Sequence, residues 1–262
     1  MSILQNKILA MALATGCLVA SNFARADDIR VVSSGGFAAA YKSLAPAFEK
    51  QTGNKLVTGW GPSMGTTTNA VPVRLARGEA LDVVIMVGAA LDGLMKEGKL
   101  LAGSKIKFAD SLIACAVSKT STARPDISTV PALKQAFLNA KFIAVSDSAS
   151  GEYIKHELLQ KLGIEAEVKD KIKQIPATPV GESIAKGDAD LGCQQYSELL
   201  PVAGISILGN IPDEVQLVTE FSGAIVATSK HVEQGRSLLQ FLGSPQNASA
   251  IAATGLKPTA KP

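Results

Sequence analysis

Three short segments have the composition of anion-holding loops: Ser33-Ser34-Gly35-Gly36, Ser63-Met64-Gly65-Thr66 and Ser148-Ala149-Ser150-Gly151. Small hydroxyl and glycine residues leave backbone N–H groups unpaired, and where a helix follows, its dipole adds positive potential at the same point. Taken singly, each loop is at least as readily a helix cap, because Ser is a preferred capping residue. Three such loops in one chain shift the balance toward a bound anion. Arg74, expected to turn toward the second loop through Pro72, offers a guanidinium that can grip a carboxylate with two parallel hydrogen bonds; Arg77 sits further off at the helix end. Tyr153 follows the third loop and has a hydroxyl able to lose or donate a proton, though it is equally a half-buried helix tyrosine. Gln194-Gln195 presents two neutral amides suited to the polar edge of a ligand.

Other chemistries find no support. The two histidines, His156 and His231, lie outside ligand spacing of a cysteine or of each other, so no metal is expected and no cofactor is called for. His156 falls about 200° round its helix from the apolar residues Ile154, Leu158 and Leu162, on the solvated side, and His231 sits in a polar stretch at the surface. Ser63 has no histidine partner and no strained small-residue elbow, which argues against a hydrolase nucleophile.

The elements that must position these loops alternate. Ile29–Val32 reads as a strand and Phe37–Thr52 as a helix stopped at Gly53; Lys55–Gly59 is a strand, and a helix through Val73, Leu75 and Ala76 ends at Gly78. Leu81–Val87 is a nearly unbroken apolar run, as expected of a strand buried on both faces. The alternation then repeats: strand Ser111–Ser118, helix Pro131–Asn139, strand Phe142–Val145, helix Glu152–Leu162, short helix Pro179–Lys186 and strand Asp190–Gln195. Strands at Gln216–Thr219 and Ala224–Ser229 and an amphipathic helix over Val232–Leu242 complete the chain. Such alternation builds parallel sheets covered by helices, and in open sheets of this kind ligands bind at the carboxyl ends of the strands. The fold class is therefore α/β, in two lobes: residues 27–108 with 219–262, and residues 109–218. Two extended stretches, Lys105–Ser118 and Gln216–Ser229, serve as crossover segments.

Met1–Ala26 has an early lysine, an uncharged run from Ile8 to Ala20 and Ala24-Arg25-Ala26 before Asp27, the pattern of a secretory leader cleaved after Ala26. A competing reading makes Cys17, after Ala14-Thr15-Gly16, the lipid-modified start of the mature chain. Cleavage after Ala26 directs the protein to the periplasm with no membrane insertion. It also takes Lys7 and Arg25, so that of 26 basic residues 24 remain against 23 acids. A chain so nearly neutral, with no basic cluster and 5% aromatic residues, has no footprint for nucleic acid. Cys115 and Cys193 stay behind, and export permits a disulfide between them as readily as two buried thiols.

Taken together, the first strand and its Ser33–Gly36 loop, Gly61-Pro62-Ser63-Met64-Gly65 with Arg74-Leu75-Ala76-Arg77-Gly78-Glu79, the strand Leu81–Ile85, Ser148–Gly151 with Tyr153, and Gln194-Gln195-Tyr196-Ser197-Glu198-Leu199-Leu200-Pro201 resemble the molybdate-binding branch of the periplasmic solute-binding proteins. The resemblance covers essentially the whole mature chain and implies a periplasmic-binding-protein fold with two crossovers and an oxyanion between its lobes. It also shows departures: the branch's first-loop ligand serine aligns with Gly36, its late ligand tyrosine with Gln195, and Thr66–Val73 is inserted after the second loop. These point to a larger organic carboxylate, and the loops as a set look most like those of aconitate isomerases, exported enzymes on the same fold. That likeness implies a tricarboxylate substrate and an allylic proton shift between cis- and trans-aconitate. The expected binding residues are Ser34, Gly35, Gly36, Ser63, Met64, Gly65, Ser148, Ser150, Gly151, Gln194 and Gln195, with Arg74 clamping a carboxylate and Tyr153 moving the proton. The alternative is a binding protein that delivers an oxyanion or organic acid to an ABC permease.

Overall fold

In the computed structural model, residues 27–176 and 179–259 are described; the expected leader lies outside them. The unbroken apolar run of the first lobe becomes β3 (Val83–Val87), buried along its whole length. Successive side chains alternate between two layers. Val83, Ile85 and Val87 meet the helices Gly35–Thr52 and Val232–Leu242, while Val84 and Met86 meet Val71, Leu75, Leu91 and Leu94 from the helices Val71–Ala76 and Gly88–Lys96. β1 (Asp28–Ser33) pairs in parallel with β2 (Lys55–Trp60) and with β3. β4 (Ile106–Ser111), β10 (Thr219–Ile225) and β11 (Lys257–Pro258) add an antiparallel side, giving the order β11-β4-β10-β3-β1-β2.

The second sheet has the order β7-β6-β8-β5-β9, from β5 (Ile113–Ser118), β6 (Ile143–Ser146), β7 (Ile172–Ile175), β8 (Leu191–Gln195) and β9 (Ile205–Asn210). One face packs on the helix Val130–Asn139 and on a helix running from Ala149 to Leu162 with a π turn at Ile154–Leu158. The other face is made of small residues, Ala114, Ala116, Ala144 and Gly192, against the helix Val180–Lys186. A Cβ on Gly192 would lie 2.5 Å from Ile184 Cδ1, so this close approach requires glycine. Cys115 and Cys193 stand opposite each other on antiparallel β5 and β8 and are joined in a disulfide, which settles the open question of the two thiols.

The chain leaves the first sheet at Leu112 and returns between Asn210 and Thr219. β4 continues to Ser111 because Asp110 and Ser111 pair with Glu220 and Thr219, so the first sheet extends beyond the expected residue 108. The two strands expected at Gln216–Thr219 and Ala224–Ser229 are one, β10. Gln216 joins no ladder; its Oε1 accepts from Ile113 N–H at 2.8 Å and its Nε2 donates to the carbonyls of Ile113 (3.0 Å) and Ile211 (3.2 Å), tying the two crossings together. Beyond Ile225 the chain turns, and Ser229 Oγ donates to Asp82 at 2.7 Å. His231, expected at the surface, is partly buried with Nδ1 3.2 Å from the same carboxylate, whereas His156 is solvated beside Glu152. No helix among the described residues is long and apolar enough to cross a membrane.

Candidate functional site

The carboxyl ends of β1, β2, β3, β6 and β8 converge on a cavity of about 220 Å³ between the two sheets' loops. That is below the roughly 300–1,000 Å³ of drug-sized pockets and fits a small ligand. From the first loop come Ser34, Gly35 and Gly36. Ser34 donates its N–H to the Ile85 carbonyl at 2.8 Å, which fixes the loop on β3, but its hydroxyl caps nothing and is buried without a partner. The first amides of the eighteen-residue helix behind it have no intrahelical acceptor, so the loop has donors to offer and a dipole to reinforce them. Gly36 is under a different constraint: a Cβ there would lie 2.0 Å from Phe221 Cζ, and Phe221 itself lines the cavity. The hydroxyl of a serine at this position has no room.

Ser63, fully buried, accepts the Val87 N–H at 3.0 Å and keeps its own proton for a ligand. Ser146, Ser148 and Ser150 line the opposite wall, where the Ser146 and Ser150 hydroxyls are 3.0 Å apart and Ser146 Oγ also accepts the N–H groups of Ser148 and Gly151. Gln194 and Gln195 complete that wall. Gln194 Oε1 accepts the Val180 N–H at 2.9 Å. Gln195 Nε2 donates to Thr219 Oγ1 at 2.8 Å, and its Oε1 is buried without a partner. Turning that amide over leaves Thr219 satisfied and presents an NH2 group instead, so Gln195 can meet either an acceptor or a donor.

Five expected residues are not part of the lining. Met64 and Gly65 stay in a first-lobe loop outside the lining, and Gly65, at φ +91°, leaves only 3.3 Å between a hypothetical Cβ and the Asp147 carbonyl of the second lobe. Gly151 is a packing glycine, where a Cβ would lie 1.8 Å from the Ser146 carbonyl oxygen. Arg74, on the short helix Val71–Ala76, is not in the lining. Its guanidinium packs over Gly59 and pairs with Glu79 at 2.7 Å, holding that carboxyl below its ordinary range. Tyr153 is buried in the second lobe's core, where its hydroxyl donates to the Val215 carbonyl at 2.6 Å and accepts from Lys161 at 3.2 Å. With that proton committed, the assignment of proton transfer to Tyr153 is not supported.

In their place the structure brings in Lys42, Trp60, Asn69, Asp147 and Glu198. Lys42 shares a face of its helix with Gly35 and Ala38, at the spacing i, i+3, i+7, and its ammonium lies 4.7 Å from the centre of the Trp60 indole. In sequence it looks like any solvated lysine. Glu198 stands on the one-turn helix Tyr196–Leu199 directly after β8. Burial, reinforced by the charge of Asp147 and opposed by a hydrogen bond from Gln194, pushes its carboxyl up to about 7. No periodic signal in the sequence marks it, because Gln194 lies in β8 and Glu198 on the helix that follows. Among the described residues no group of three or more His, Cys, Asp or Glu is placed to hold a metal ion.

This cavity at the mouth of two α/β sheets is what a solute-binding protein provides, and the model of bacterial extracellular solute-binding proteins matches residues 29–257. The chain belongs to this family. Within it, the chain is 45% identical over 249 residues to the aconitate isomerase of Pseudomonas sp., covering 95% of this chain and 94% of that one. It is 24% identical over 253 residues to the molybdate-binding protein ModA of Azotobacter vinelandii, covering 94% and 96%. The solved periplasmic molybdate-binding protein of Azotobacter vinelandii superposes with a TM-score of 0.69 at 21% identity, over 87% of this chain and 98% of that one, and shares the two-lobed solute-binding fold.

Proposed function

We propose that the protein is an exported isomerase that interconverts cis- and trans-aconitate in the cavity between its lobes, its leader cleaved after Ala26 to release it into the periplasm. The observation that carries this reading is 45% identity to an aconitate isomerase along 95% of the chain. The cavity supports it: Ser34 Oγ, Ser63 Oγ and the amides at Gly35 and Gly36 form one group of donors, Ser148 and Ser150 a second, and Lys42 stands at the rim as a cation. Three carboxylates can be shared among these groups. Loss of a methylene proton leaves an allylic carbanion delocalised into the carboxylates, and fixed donors in a site shielded from water stabilise that charge as it develops. No cofactor or metal is needed.

The family's name favours a second reading, a binding protein that passes an oxyanion or organic acid to an ABC permease. Turnover separates the two. Protein at a small fraction of the substrate concentration is incubated with cis-aconitate and followed by proton NMR. The isomerase reading expects trans-aconitate in large excess over protein; unchanged substrate, with thermal stabilisation by molybdate or tungstate, supports transport.

A further inference from the structure

Glu198 reaches across the cavity from one lobe to the other. It is carried by the second lobe, yet a Cβ on Gly35 of the first lobe would lie 2.0 Å from its Oε1, so the absence of a side chain at Gly35 is what lets the carboxylate rest there. Its position is set from both sides. Gln194, held by the Val180 N–H at 2.9 Å, donates a hydrogen bond to it, and the neighbouring Ser197 donates to the Gly36 carbonyl at 2.8 Å across the lobe boundary. It thus lies beside the same loop donors, Ser34 and the amides at Gly35 and Gly36, that are free to hold a substrate carboxylate.

Resting on the isomerase reading, we propose that Glu198 is the base that takes the methylene proton of aconitate and returns it to the other end of the allyl system. The carboxylate removes a proton as the methylene C–H bond breaks. The electron pair shifts to form a new C=C bond between that carbon and the central carbon, and the old C=C bond opens. The protonated Glu198 then delivers the proton to the former vinylic carbon, forming the new C–H bond and restoring the carboxylate. Atoms and charge balance with no co-reactant. Asp147 lies close enough to act on it by its charge, Lys42 lines the same cavity, and Glu182 and Lys186 line a shallow pocket that Glu198 also borders. With its carboxyl pushed up to about 7, both protonation states are populated near neutrality, as a group that takes and gives one proton requires.

The test compares wild type, Glu198→Gln and Glu198→Asp for conversion of cis-aconitate across pH, alongside thermal stabilisation by trans-aconitate. Glu198→Gln is expected to lose about 100-fold or more in conversion while still being stabilised by trans-aconitate, and Glu198→Asp to keep part of the rate. Wild-type kcat/KM should rise through a midpoint near 7. An active wild type with Glu198→Gln within about threefold of it overturns the role of Glu198 alone. A wild type stabilised by aconitate that converts none overturns the isomerase reading, and this role with it.

Discussion

Gly36 and Phe221 show how packing alone fixes a residue in the wall of the cavity. Where related binding proteins are expected to place a ligand serine, this chain has a glycine whose missing Cβ is occupied by the Phe221 ring. Gly36→Ala must displace a ring that is 2% exposed, and overpacking of this kind costs about 1–3 kcal/mol. Thermal denaturation should show the loss, and aconitate conversion should fall with it because Phe221 also lines the cavity. Tyr153 is the opposite case. Its phenol is a structural donor to Val215, so Tyr153→Phe is expected to keep isomerase activity within about threefold while losing about 1 kcal/mol of stability. A large drop in kcat with unchanged stability would return Tyr153 to the site. Neither outcome was legible beforehand. A tyrosine one turn past an anion loop has the right composition for either role, and only the Val215 carbonyl 62 positions along the chain decides between them.

At the scale of elements, the strand–loop–helix units were readable because their stop signals are local: Gly53, Gly78, Gly163 and Gly187 close four helical segments, and the unbroken run Val83–Val87 announces a strand covered on both faces. What local signals do not carry is the direction in which a short helix aims its side chains, which is why Arg74 was expected in the loop and is found on Glu79. The crossover after β9 was misread for a similar reason. Gln216 looks like part of a strand, but its amide is spent on main-chain groups of both crossings. The disulfide belongs to this scale too, since sequence permits it and only the register of β5 against β8 places Cys115 opposite Cys193. It closes a separation of 78 residues within one sheet. Replacing both cysteines by alanine should lower stability by about 2–4 kcal/mol, read by denaturant unfolding, with the cavity geometry and the activity retained.

For the whole molecule, a nearly neutral chain holds an anion site because the positive potential is local, supplied by the start of an eighteen-residue helix, loop amides and Lys42. The two-lobed α/β plan and most of the loops were legible from alternation and composition. The cation at the rim and the carboxylate between the lobes were not, because each looks like a surface charge until the lobes are brought together. Turnover of substrate is the activity proposed for this cleft. Its most direct measurement follows two solutions by NMR, one of cis-aconitate and one of trans-aconitate, each with a trace of the protein. Convergence of both on one ratio of isomers is the predicted result, because a catalyst must carry the reaction to the same equilibrium from either side. Two solutions that each keep their starting isomer, with aconitate bound, would contradict it.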